Sequence, residues 1–196
     1  GIMDQMISAC GKDGHALLLD CRSLQVQHVP LPDGVAVVVL DTSTRRGLVD
    51  SAYNERRAQC EVAARFFSVG ALRDVDEEMF ANRMHALDET PRRRARHVIS
   101  ENARTERAAE AMRQGDGRAL GLLLNESHVS LRDDFSVSSE ALDAMVECAQ
   151  DQASCYGARM TGAGFGGCAV AHRAKRVAAR HGQAVRPPVH RHPQII

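Results

Sequence analysis

Apolar positions recur with two different periods in the opening forty residues, and the changes of period mark out the first predicted elements. Ile2, Met3, Met6 and Ile7 share one helical face, which predicts a helix from Gly1 to Cys10. Lys12-Asp13-Gly14 is a turn signal leading into an apolar strand, His15 to Cys21, and a second strand is predicted from Leu24 to Leu31. Pro30, Pro32 and Gly34 then punctuate the chain, and a domain boundary is placed between residues 33 and 34. Val35-Ala36-Val37-Val38-Val39-Leu40 has no polar position. A run of that kind suits a strand buried on both faces, so it is expected to be a central strand of the second domain.

Helical spacing dominates the next hundred residues. From Ser51 to Phe67 the residues Cys60, Ala63, Ala64 and Phe67 line one face, with Asp50 or Ser51 available as a cap. A helix is predicted from about Val75 to Leu87, and another from Thr90-Pro91, a cap residue followed by proline in the first turn, to near Gly115. Asp116 can cap the next, whose apolar positions Leu120, Leu123 and Leu124 lead to Glu126, Ser127 and His128 at an expected helix end or turn. Ser138 and Glu140 open a last helix with Leu142, Met145 and Val146 inward. Mixed strands and helices make this an α+β chain, without internal repeats.

Candidate chemistry sits at the two ends of this pattern. Residues Gly157 to Gly167 hold five glycines and run into the apolar stretch Cys168-Ala169-Val170-Ala171. A backbone so poor in Cβ atoms can bring its N–H groups against a phosphate or another main chain; a tight turn into a buried strand is the plainer alternative. At the other end, Gly1-Ile2-Met3-Asp4-Gln5 puts a carboxylate in the first turn of a helix, where the partial positive charge keeps it ionised. Asp4 can serve there as a base or charge anchor, or simply as a helix cap.

These two segments together resemble signatures of galactokinases, a branch of the GHMP small-molecule kinase family. Four segments between them resemble the same family in order and spacing: His15 to Leu24, Tyr53 to Glu61, Arg94-Ala95-Arg96-His97-Val98, and Glu126 to Phe135. The resemblance covers residues 1 to about 171. It implies a GHMP kinase fold, with residues 1–33 forming the end of the N-terminal domain and 34–171 an incomplete ferredoxin-like C-terminal domain. The implied reaction is transfer of the γ-phosphoryl group of ATP to the C1 hydroxyl of α-D-galactose, with Asp4 as catalytic carboxylate. Gly1, Asp4 and Tyr53 would meet the sugar, although a half-buried packing role is the plain alternative for Tyr53. Gly162, Gly164, Gly166 and Gly167 would support the phosphate-binding loop, with Phe165 as packing anchor. ATP and magnesium are the implied cofactors, the magnesium ligands being expected upstream of Gly1. The family's galactose-reading acids and its Gly/Ser-rich phosphate loop do not occur in this sequence, so the chain alone is expected to be inactive and its upstream half to lie outside it. N-acetylgalactosamine kinase, a sugar-sensing regulator and a decayed fragment are the alternatives.

Composition narrows the picture further. The chain has 25 basic and 25 acidic residues, no tryptophan, two tyrosines and five phenylalanines, which offers neither the field nor the stacking platforms for nucleic acid. Its six cysteines form no C-x-x-C pair, so reduced thiols in a cytoplasmic protein are expected rather than zinc or disulfides. No apolar run is long enough to span a membrane, and a monomer is the expected state. Glu126, His128, Arg132, Asp133 and Asp134 are read as an internal polar network, and Arg56 and Arg57 as solvated or paired with nearby acids. His97 is assigned no role. From His172 to Ile196 no acidic residue occurs and the resemblance stops. With 23 arginines against two lysines in the chain, this basic, proline-containing tail reads as the product of a frameshift in GC-rich DNA, and disorder is expected over 172–196.

Overall fold

In the computed structural model, which describes residues 2–44 and 49–175, the helical period at the start becomes α1, Met3–Cys10. It buries none of its residues. The two following apolar runs form an antiparallel hairpin, β1 His15–Leu19 and β2 Val26–Pro30, with His15 opposite Pro30 and Leu19 opposite Val26. Both strands are shorter than expected because Asp20 folds the chain back: its Oδ1 accepts the backbone N–H groups of Arg22 (2.7 Å) and Ser23 (3.1 Å).

The rest is one three-stranded antiparallel sheet with helices around it. β3 Val35–Asp41, β4 Cys155–Met160 and β5 Cys168–Ala174 stand in the order β3-β5-β4, so that β5 is inserted between two parallel strands as in a ferredoxin-like split βαβ unit. The helices are α2 Val49–Phe67, α3 Glu77–Arg83, α4 Glu89–Arg113, α5 Gly117–Asp133 and α6 Glu140–Gln150, with single 3-10 turns at Leu72–Asp74 and Met84–Ala86. One core cluster, including Ala63, Phe67, Leu72, Phe80, Ala95 and Ile99, joins α2, α3 and α4. Two smaller ones lie against the sheet: Leu131, Val137, Leu142 and Met160; and Val146, Ala158, Ala169 and Ala171.

The contact between α5 and β4 is made at backbone distance. A Cβ on Gly157 would overlap the Gly121 carbonyl, and one on Gly121 would overlap the carbonyl of Tyr156. The helix lies along the outer edge of the strand and accepts its outward N–H groups, Ala158 N–H on Asn125 Oδ1 (2.9 Å) and Met160 N–H on His128 Nδ1 (3.3 Å). Side chains of α5 thereby take the place of a neighbouring strand on an edge that would otherwise be open to pairing.

Several expectations are corrected. β3 is an edge strand among the described residues, with Val37 46% and Val39 66% exposed; β5 is the central one, pairing with β3 on one side and β4 on the other while its Ala169 and Ala171 pack with Val146 of α6. Glu126, Ser127 and His128 lie well inside α5, since its helical period continues through Leu131. Of the glycine-rich run, Gly157 to Met160 belong to β4, and the expected loop over Gly162 to Gly167 lies within the connection Thr161–Gly167. α2 begins at Val49, ahead of both expected cap residues, whereas Asp116 does cap α5 through the N–H groups of Arg118 and Ala119. The expected tail boundary at His172 falls inside β5, where His172 is buried and pairs with Val37 and Gly157. The expectation of disorder is therefore wrong for His172–Ala174, and residues 176–196 lie outside the described residues.

Two ion pairs tie the hairpin to the helical layer. Arg73 donates to both carboxylate oxygens of Asp20 (2.8 and 3.0 Å), and Arg22 donates to Asp74 (2.8 Å). The Arg73 guanidinium holds the Asp20 carboxyl well below the ordinary carboxylate value of 3.8. A depressed carboxyl stabilises the fold fully above its unfolded value and ceases to do so as pH falls through its folded one. Thermal melts are therefore expected to show a salt-sensitive contribution at neutral pH that fades below about pH 3.8. The Asp20→Asn variant should lose most of that salt dependence.

Candidate functional site

The glycine connection between β4 and β5 is held at both ends by main-chain bonds. Thr161 N–H donates to Cys168 O (2.9 Å), and Gly167 O accepts Thr42 N–H (3.0 Å) and Thr42 Oγ1–H (2.7 Å) from the end of β3. In its middle, Phe165 N–H donates to Val137 O (2.7 Å). Gly162, Gly164, Gly166 and Gly167 all have positive φ, and Phe165 joins them at 60°. Glycine is required at 164 for a second reason, since a Cβ there would overlap the Val137 carbonyl. Phe165 packs against the cluster of Leu131, Val137, Leu142 and Met160, where a packing anchor would sit.

Gly162, Ala163 and Phe165 line a cleft of about 310 Å³ whose other wall carries Tyr53, Arg56 and Arg57 of α2. Tyr53 is 53% exposed, so its ring and hydroxyl are available at the mouth of the cleft. Asp4 stands exposed in the first turn of α1 and does not line this cleft. α1 is joined to the hairpin by a hydrogen bond between His28 Nε2 and Cys10 O (2.7 Å). Gly1 lies outside the described residues. Thus Tyr53 and the glycine connection come together, and Asp4 is carried on a separate surface element.

The polar residues of Glu126 to Asp134 spread over several partners. Glu126 meets Arg107 (3.4 Å), Arg132 pairs with its neighbour Asp133 (2.8 Å), and Asp134 accepts from Arg96 (2.9 Å). His128 Nδ1 accepts from Met160, which places its own proton on Nε2, 3.2 Å from Asp143 Oδ1. Ser127 donates to Glu101, which also binds Arg159 Nη1 (3.2 Å) and Arg104. These contacts are structural joints between α4, α5, α6 and β4. Both arginines pair with nearby acids as expected, Arg57 with Glu61 (2.9 Å) in solvent and Arg56 with Glu55 (3.0 Å), but the Arg56 side chain is only 14% exposed. Nothing in the spacing of the sequence distinguishes the two. Among the described residues no group of three or more His, Cys, Asp or Glu is placed to hold a metal, and no helix is long and apolar enough to cross a membrane.

His97 also has a defined structural place. It is hydrogen-bonded through Nδ1 to Ser130 Oγ (2.9 Å) and stacks on Phe135 with ring centroids 4.4 Å apart. Burial pushes its pKa down from 6.5 to about 4, and burial moves His128 and His172 in the same direction. Below pH 6.5 the unfolded chain takes up protons that the folded chain refuses, so stability is complete above that pH and declines toward pH 4. Urea midpoints at pH 7 and pH 5 should show this loss, and His97→Gln should make it smaller.

Known proteins share this architecture. The family model of the GHMP kinases C terminal matches residues 108–180. The structure of Lactococcus lactis galactokinase complexed with galactose is 40% identical, with a TM-score of 0.84 over 89% of this chain and 47% of that one. L. major mevalonate kinase, solved in complex with R-mevalonate, is 20% identical over 82% of this chain and 40% of its own, and its TM-score of 0.53 shows a shared fold. The chain belongs to the GHMP kinase family and has its α+β fold. Within that family its likeness is to galactokinase, of whose length it spans about half.

Proposed function

We propose that this chain is the carboxy-terminal portion of a galactokinase, in which the cleft between Tyr53 and the glycine connection forms part of the sugar and phosphate site. The observation that supports this reading best is the convergence of Tyr53, Gly162 and Phe165 on one cleft, from segments more than a hundred positions apart. A connection with positive φ at five of its last six residues leaves main chain uncovered by side chains, which suits close approach of a phosphate-bearing ligand such as ATP. Tyr53 offers a ring and hydroxyl for a hexose. Asp4 would accept or hold the proton of the C1 hydroxyl, raising its nucleophilicity toward the γ-phosphorus. On this reading magnesium accompanies the ATP, with its protein ligands in the amino-terminal half of the enzyme. A monomer acting in the cytoplasm, without nucleic-acid or membrane partners, completes the reading.

A chimera that places the amino-terminal half of lactococcal galactokinase ahead of this chain tests the proposal. In a coupled ADP-release assay it is expected to phosphorylate galactose and to turn over N-acetylgalactosamine far more slowly, whereas the 196-residue chain alone stays at background. A folded chimera without sugar-dependent ADP release would sink the reading.

A further inference from the structure

Two guanidinium groups, one buried and one largely so, stand by the cleft without facing it equally. Arg56 lines it, while Arg94, one helix further back on α4, does not and is 6% exposed. Arg94 donates through Nε to Gln59 Oε1 (2.8 Å), and through Nη1 to the Asp134 carbonyl and to Ser136 Oγ (3.0 Å). Arg56 reaches the same groups from the other side, Gln59 Oε1 at 3.2 Å and the Ser136 carbonyl at 3.3 Å. Each of these acceptors on Gln59, Asp134 and Ser136 is a neutral oxygen. The nearby carboxylate of Asp134 is engaged by Arg96 and that of Glu55 by Arg56.

A buried cation bonded only to neutral oxygens gives up hydration without gaining an ion pair, so its contribution to net stability is poor. Its geometric effect is specific. The planar fork of one arginine fixes three oxygens at once, which a lysine ammonium on a flexible stem cannot reproduce. What it fixes is the turn after α5, where Ser136 holds a φ of 55°, a conformation uncommon for a residue with a side chain. The next residue, Val137, has its N–H on Leu131 O (3.1 Å) and offers its carbonyl to Phe165 N–H; that same carbonyl is the wall against which Gly164 has no room for a Cβ.

We propose that Arg94 is a positioning residue for the glycine connection. It acts through the Asp134–Val137 turn, whose Val137 carbonyl sets where the main chain of Gly164 and Phe165 runs past the cleft. The role in turnover rests on the kinase reading; the effect on the connection does not. Two variants, Arg94→Lys and Arg94→Met, test it, the lysine variant retaining charge and bulk where methionine disturbs folding. By hydrogen–deuterium exchange on the 196-residue chain, peptides covering 134–137 and 161–167 should exchange about tenfold faster, with the amides of β4 and β5 unchanged. In the chimera, kcat for galactose should fall about tenfold while the melting temperature moves by less than about 2 °C. Unchanged exchange in the connection, or a rise spread evenly over β4 and β5, makes Arg94 a general stabiliser and overturns the proposal. If the unsubstituted chimera is inactive, the kinase reading falls and the exchange pattern alone decides the positioning role.

Discussion

Asn at position 4 is expected to lower the kcat of the chimera for galactose by a factor on the order of 10² or more, with the binding of both substrates nearly unchanged. On the proposed reading the amide, which has the shape of the carboxylate, would still hydrogen-bond the C1 hydroxyl but could not take its proton. A factor of that size corresponds to roughly 2.7 kcal/mol in the barrier. Because Asp4 is exposed on α1, a helix with no buried residue, the substitution should leave the melting temperature where it was. That separation of rate from stability is the informative part of the experiment. A near-normal kcat for Asp4→Asn would remove the carboxylate from the mechanism, and an equal fall in stability would assign it to the helix instead.

The second large effect falls on the fold. Gly157→Ala is expected to destabilise the chain by about 3 kcal/mol, the upper part of the usual range for forcing volume into a closely packed joint. The added methyl would lie on the Gly121 carbonyl, and only movement of α5 away from β4 could make room. Such movement would also lengthen the bonds from Asn125 and His128 to the strand, so the loss should appear as a lower urea midpoint together with faster exchange at Ala158 and Met160. Gly70→Ala is the matched control: nothing lies within 4 Å of its Cβ position, and the change should stay within about 0.5 kcal/mol. Equal urea midpoints for the two variants would mean that the close approach of helix and strand has no energetic weight.

Elements written in local chemistry were legible from the residues themselves. Asp116 predicts the start of α5, a Ser-Ser-Glu sequence predicts that of α6, and the Lys12-Asp13-Gly14 turn opens β1. What escaped was decided by packing. Val35 to Leu40 is apolar at every position, so its period cannot say that alternate residues face outward; the exposure of Val37 and Val39 follows from where the sheet's other strands lie. Glycine content concealed β4, because Gly157 is there for the approach of a helix and not for a turn. His128 gives no sequence signal of its role, which is to receive a backbone N–H from a strand about thirty residues on. At the candidate site the glycine connection was visible in the residues themselves, and Tyr53 only through family resemblance. The Arg94 contacts were not, since three adjacent arginines, Arg92 to Arg94, are identical in sequence and only the path of α4 turns the last of them inward.

The meeting of Gly121 with Gly157 has a bearing on how this chain can change. Most crowded positions in a protein can be relieved by trimming a neighbour, which lets a pair of residues drift together over successive substitutions. Here both glycines are already as small as an amino acid can be, and what an added Cβ meets first is main chain, that of Gly121 for the one and the Tyr156 carbonyl for the other. No second-site change of side chain can compensate an enlargement at either position. Directed evolution of this scaffold should therefore recover both glycines from any library that randomises them, while accepting diversity freely at the solvent-facing positions of the same helix.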